Sequence, residues 1–155
     1  MKPDMINVEV IQFREWELIV DKELTKQTYD KIETGSPESC GCNDCNNFIL
    51  NREIIYPDEI KKLLCNLGID YQKESEVWSC CQQENGVQLY SGWFHFKGQF
   101  KGKNCMIPTD TESSIFDLTP VNENFSIGFR YDNALTYFDD KNDIVQIEFS
   151  TSVTL

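Results

Sequence analysis

Histidine occurs once in this 155-residue chain, as His95, and basic residues are outnumbered by acidic ones, 14 to 26, for a net charge of −12. A Cys–His dyad would have to use that single imidazole, and the H-E-x-x-H helix of zinc hydrolases is missing. The shortage of Lys and Arg argues against nucleic acid as a partner, since affinity for phosphate backbones comes from cations that displace condensed counterions. No apolar stretch approaches the roughly 20 residues of a membrane span. Nor does the chain open with a basic segment, an apolar run and a small-residue cleavage site. A serine-nucleophile motif and a phosphate-cradling glycine loop are also lacking. Residues 139–143 are acidic but offer too short a run of ligands for an EF-hand, and a polar hairpin turn is the expectation there. The motif inventory thus gives an enzyme little support, and the expected setting is the cytoplasm.

What is present suffices for one domain, residues 1–155. A chain of this length buries roughly 68–70% of its unfolded surface. Its 40% hydrophobic and 12% aromatic content provides the material for a packed interior. Alternation of Ile6, Val8 and Val10, followed by Trp16 to Val20, predicts two strands, with a hairpin between them. Asp21 or Thr25 suits the N-cap of a short helix over 23–32. A second helix over 44–54 takes Asn43 or Asp44 as its cap and places Cys45, Phe48, Ile49 and Arg52 on one face. A third begins at Pro57, carries Ile60, Leu63, Leu64 and Leu67 at helical spacing, and stops at Gly68. Residues 76–81 read as a strand, and Glu84-Asn85-Gly86 carries the signal of a tight hairpin turn. Residues 87–100 alternate so strongly that both faces are expected to be buried near the middle. Lys97, Lys101 and Lys103 form the basic cluster of the chain, and 104–120 reads as a long irregular connection of the kind that often carries function. The last third reads as a meander of 125–131, 135–138 and 145–153. The expected fold is therefore α+β: an antiparallel sheet of about six to seven strands packed against two to three helices from the N-terminal half.

Three of the seven cysteines, Cys40, Cys42 and Cys45, fall within six residues. Their C-x-C-x2-C spacing, with Gly41 letting the backbone fold tightly, can aim three thiolates at one soft cation. A tetrahedral zinc takes four ligands with sulfur at about 2.3 Å, so the fourth must come from afar. His95 is the expected choice, with Cys65, Cys80, Cys81 and Cys105 as further candidates. Two other readings stay open. The cysteines pack as small hydrophobes that lock a turn onto a helix, or Cys45, near a helix N-terminus, is an activated thiol resolved by Cys42. Asp44 and Glu38 beside it work against a thiolate. An odd number of cysteines in a reducing compartment favours thiols or metal over a disulfide framework.

The block Cys40-Gly41-Cys42-Asn43-Asp44-Cys45-Asn46-Asn47-Phe48, together with Tyr56-Pro57, Leu67-Gly68-Ile69-Asp70 and Gly92-Trp93-Phe94-His95-Phe96-Lys97-Gly98, resembles an uncharacterised family of small bacterial cytoplasmic proteins. The resemblance runs over about residues 16 to 100 and implies no activity, substrate or metal. Its pattern includes the clustered cysteines and leaves out Cys65, Cys80, Cys81 and Cys105, which adds weight to a structural turn. The end of the chain, Ser150-Thr151-Ser152-Val153-Thr154-Leu155, departs from the aromatic-rich Pro-Trp segment usual in that family.

Together these features lead to a non-enzymatic protein-binding module that presents 35–44 and 104–120 to a protein partner, a basic one if the charge is used. A zinc-binding domain built on Cys40, Cys42 and Cys45 and a thiol-dependent enzyme or redox protein are the alternatives.

Overall fold

The computed structural model describes residues 8–82, 86–110 and 114–154, apart from the side chains of 80–82 and 114. Its chain order is β1 (Val8–Phe13), β2 (Trp16–Asp21), α1 (Lys22–Asp30), α2 (Ser36–Cys40), α3 (Asn43–Ile55), α4 (Asp58–Leu67), β3 (Glu76–Gln82), β4 (Val87–Lys101), β5 (Met106–Pro108), β6 (Ser114–Phe116), β7 (Thr119–Asn122), β8 (Phe125–Tyr131) and β9 (Ile144–Thr154). This is an α+β fold, with a seven-stranded antiparallel sheet in the order β1-β2-β4-β9-β8-β7 and β3 paired to β4. Strands β5 and β6 form a separate pair.

The fifteen-residue β4 organises the sheet. On one side it pairs with β9 along eleven positions, from Val87 opposite Thr154 to Lys97 opposite Ile144. On its other side its first half carries β3 and its last residues carry β2. The handover to β2 falls at Gly98, whose φ of +153° and close approach to Ile19 exclude a side chain. A Cβ there would lie 1.8 Å from the Ile19 carbonyl oxygen.

Because opposed residues of an antiparallel pair share a face, the registers sort the sheet into two surfaces. Tyr90, Phe94, Ile147, Phe149, Ile127 and Phe129 line the face that meets the helices. Phe48 of α3 packs edge-on against Tyr90 at 5.3 Å between ring centroids, and Tyr56, just beyond α3, touches Phe94, Phe125 and Phe149. Such offset and edge-to-face pairs add to the free energy of burial. Ile60, Leu63, Leu64 and Leu67 of α4 close the same core. The opposite face is polar along the middle of β9, where Gln146, Glu148 and Ser150 alternate with the apolar set.

The helix boundaries follow local chemistry. Asp21 caps α1 by accepting from the Leu24 amide, while Thr25 turns its hydroxyl to the Asp21 carbonyl in the core. Gly68 ends α4 in the left-handed conformation, with φ +86°. Three expectations are corrected. The N-cap of α3 is Cys42 rather than Asn43 or Asp44. Residues 135–138 are not a strand: Leu135 has φ +57°, Thr136 donates to the Asn133 carbonyl in a turn, and the place beside β8 goes to β7. The connection 104–120 is not wholly irregular, since it contains β5 and β6 and the start of β7. Of the predicted Glu84-Asn85-Gly86 turn, 84 and 85 lie outside the described residues. Nor is the lysine cluster a free basic patch, because Lys97 is buried against Asp140, Lys101 pairs with Glu17 and Lys103 with Asp117.

Gly98→Ala should lower unfolding free energy in urea by on the order of 3 kcal/mol or more, as expected where backbone must shift. Gly41→Ala, left-handed at φ +69° but with open space around it, should cost only about 1–2 kcal/mol. Equal effects would contradict the assigned role of Gly98.

Candidate metal centre

Five residues form α2, too few to hold a helix alone. Pro37 presets its first turn, and the Ser36 amide donates to the Glu74 carbonyl at 3.0 Å. Gly41 then takes the left-handed conformation and its amide closes on Pro37. The chain reverses at once into α3, where the Cys42 sulfur accepts from the Cys45 amide at 3.4 Å in the way a serine oxygen caps a helix. The result is a sharp knuckle whose three ligand atoms, the Sγ of Cys40, Cys42 and Cys45, all lie within 4.8 Å of one another. Cys40 and Cys42 are exposed, and Cys45 is buried beside Phe48.

Arg52 fixes the two arms of the knuckle. Its Nη1 and Nη2 donate to both oxygens of Glu38 in α2 at 3.0 Å, and its Nε and Nη2 donate to Glu74 at 3.1 and 2.8 Å. Tyr56 donates to the same Glu74 carboxylate at 2.8 Å, and Tyr137 to the Glu74 carbonyl at 2.6 Å. From the sheet, the Tyr90 hydroxyl donates to the Asp44 carbonyl at 2.7 Å, pinning the first turn of α3.

The thiols are not equivalent. The Cys45 amide, with the thiols of Cys40 and Cys45, stabilises negative charge on Cys42 and lowers its pKa. Burial, followed by the proximity of the other two sulfurs, pushes Cys45 well up. The direction at Cys45 is thus opposite to that expected of an activated thiol there, and the thiol whose pKa falls is the exposed capping residue Cys42.

His95 does not join this group. It is fully buried on β4, with Nδ1 3.1 Å from the Ser75 hydroxyl and Nε2 2.9 Å from Gln146 Oε1. Gln146 in turn donates its amide to Glu148. With a carboxylate at the end of the chain, the amide oxygen is left to His95, so Nε2 carries the proton and Nδ1 accepts from Ser75. Both ring nitrogens are committed, which is why the imidazole serves the interior and not the cysteines. Cys65 is exposed on α4, and Cys105 is buried with its amide on the Phe129 carbonyl. Neither belongs to the cluster, and the side chains of Cys80 and Cys81 lie outside the described residues. Among the described residues no His, Asp or Glu adds a fourth ligand atom.

Sequence reasoning missed the part played by Arg52 and Glu74. The signal was an arginine on the same helical stripe as Cys45 and Phe48, where a charge is costly unless paired. Comparison with family models, with curated proteins and with solved structures returned no match. Among the described residues no helix is long and apolar enough to cross a membrane.

Burial lowers the pKa of His95 to about 4. An unfolded chain protonates this residue near 6.5 while the folded one resists, so its contribution to stability is full above about 6.5 and is lost as pH falls towards 4, by about 3 kcal/mol at the extreme. His95→Gln should flatten that part of the stability profile measured by urea unfolding between pH 7 and 4. An unchanged slope, or an imidazole resonance titrating near 6.5, would contradict the assignment.

Proposed function

We propose that this protein is a binding module built around a soft-cation site, with zinc as its metal and the thiolates of Cys40, Cys42 and Cys45 as its protein ligands. The observation that carries the reading is three sulfurs within 4.8 Å, on a turn held in place from both arms. Sulfurs around a tetrahedral zinc stand about 3.8 Å apart at the usual bond length, so the group needs only a small contraction. The lowered pKa of Cys42 favours the thiolate form that a soft cation needs. Cys45, whose pKa is raised by burial and by the neighbouring sulfurs, would lose its proton on binding a dication, since the repulsion among the sulfurs would give way to attraction to a shared charge. Three protein donors would leave a four-coordinate zinc in need of one more ligand, and the exposure of Cys40 and Cys42 would let water or a partner's donor group supply it. That exposure supports the protein-binding role expected for 35–44, and zinc bound there would give the turn both rigidity and a contact point.

Elemental analysis of freshly purified, untagged protein should find about one zinc per chain. Cys42→Ser should lower zinc affinity at least about 100-fold in a competition assay with a chromophoric chelator. Protein that carries no zinc and takes none up when it is supplied under reducing conditions would overturn the reading.

A further inference from the structure

The sheet face turned away from the helices holds a cleft of about 600 Å³ between β3, β4, β9 and β8, also lined by Phe116 of β6 and by Leu118. That size lies within the roughly 300–1,000 Å³ usual for small-ligand sites. Its floor contains an unusual row. Ser91, Ser150 and Ser126 stand side by side on adjacent strands, each half-buried, with Trp78 opposite Ser91 at the end of the row. None of the three hydroxyls has a hydrogen-bond partner among the described residues. With strands about 4.8 Å apart, they form a donor–acceptor ladder about 10 Å long.

Aromatic walls flank the ladder. Trp78 is half exposed, and Trp93 is locked in orientation by its indole N–H, which donates to the Ala134 carbonyl at 2.9 Å. The charged groups of the cleft are already engaged with one another. Arg130 pairs with Asp132 at 2.6 Å, lies 4.0 Å from Glu148 and rests over the Phe116 ring, while Glu148 accepts from Gln146. Among the described residues that line the cleft, no free cation is left to hold a phosphate or carboxylate. What remains is a row of unpaired hydroxyls and the faces of two indoles.

We propose that this cleft binds a neutral carbohydrate, a pyranose ring or a short oligosaccharide. A pyranose presents an apolar face of C–H groups whose partial positive charge is drawn to the negative face of an indole. Its edge carries hydroxyls that both donate and accept, as the serine row does. The Ser91–Ser150–Ser126 row is about as long as two such rings joined end to end. The proposal is independent of the cysteine site, which lies on the helical side of the molecule.

The full-length protein, screened on an array of neutral oligosaccharides, should retain at least one, and the best of them titrated by calorimetry should bind with a Kd between about 10 μM and 10 mM. Raising salt from about 0.05 to 0.5 M should leave that Kd within about twofold, since the ligand carries no charge. Trp78→Ala and Ser150→Val should each weaken binding at least about tenfold, with thermal unfolding as the control for intact folding. If Ser150→Val perturbs folding, Ser91→Ala replaces it. Failure of every glycan to bind, affinity unchanged in both variants, or a preference for nucleosides or for a charged compound with steep salt dependence would overturn the proposal.

Discussion

A guanidinium buried between two carboxylates from distant segments is the constraint on which the helical half depends. Arg52 is about 5% exposed and Glu74 is fully covered, so both charges leave water. Their desolvation is offset only because the fork geometry satisfies them together, with Tyr56 as a further donor. Burial pushes the Glu74 carboxyl up, and the guanidinium and the tyrosine hydroxyl pull against it. Removing one member of such a group typically costs about 3–5 kcal/mol, because an unpaired charge is left inside. The second carboxylate, Glu38, extends this cost to α2. A five-residue helix has no stability of its own, so the position of Cys40 is set by an ion pair whose two members lie fourteen residues apart in sequence.

Three consecutive residues at the entry to β3 spread the constraint across the molecule. Glu74 holds α3, Ser75 donates to His95 in the sheet, and Glu76 accepts from Ser36 at the start of α2. From His95 the polar chain runs on through Gln146 to Glu148 on the far face. The cysteine knuckle and the aromatic cleft thus sit on opposite sides of one sheet, each braced by side chains from β4 or from the turn that leads into β3. The two surfaces are thus separate, and neither rests on an unsupported loop, which is the kind of support a binding site needs.

Much of the fold was legible because it rests on short-range patterns. The i, i+3, i+4, i+7 leucines of α4 with Gly68 behind them, the alternation of β4 and β9, and the Asp21 cap all reflect local geometry. The proximity of Cys40, Cys42 and Cys45 followed from spacing and Gly41. Other features were hidden because they are settled by partners far along the chain. Residues 135–138 carry strand-like residues, yet Tyr137 and Phe138 are drawn into tertiary contacts and Leu135 takes a left-handed conformation. The paired nitrogens of His95 depend on Ser75 and Gln146, and the serine row becomes a row only through strand register. A single-sequence reading has no access to register across three strands.

The central claim, that the Arg52 fork onto Glu38 keeps α2 docked and so holds the thiols together, is tested most directly by residue-resolved amide hydrogen exchange in Glu38→Gln. This change removes one charge from the partly exposed arm and leaves the buried Glu74 arm intact. Exchange should be faster by at least about tenfold at Ser39, Gly41 and Cys45, with β4 and β9 amides unaltered. Unchanged protection at those three amides would contradict the claim.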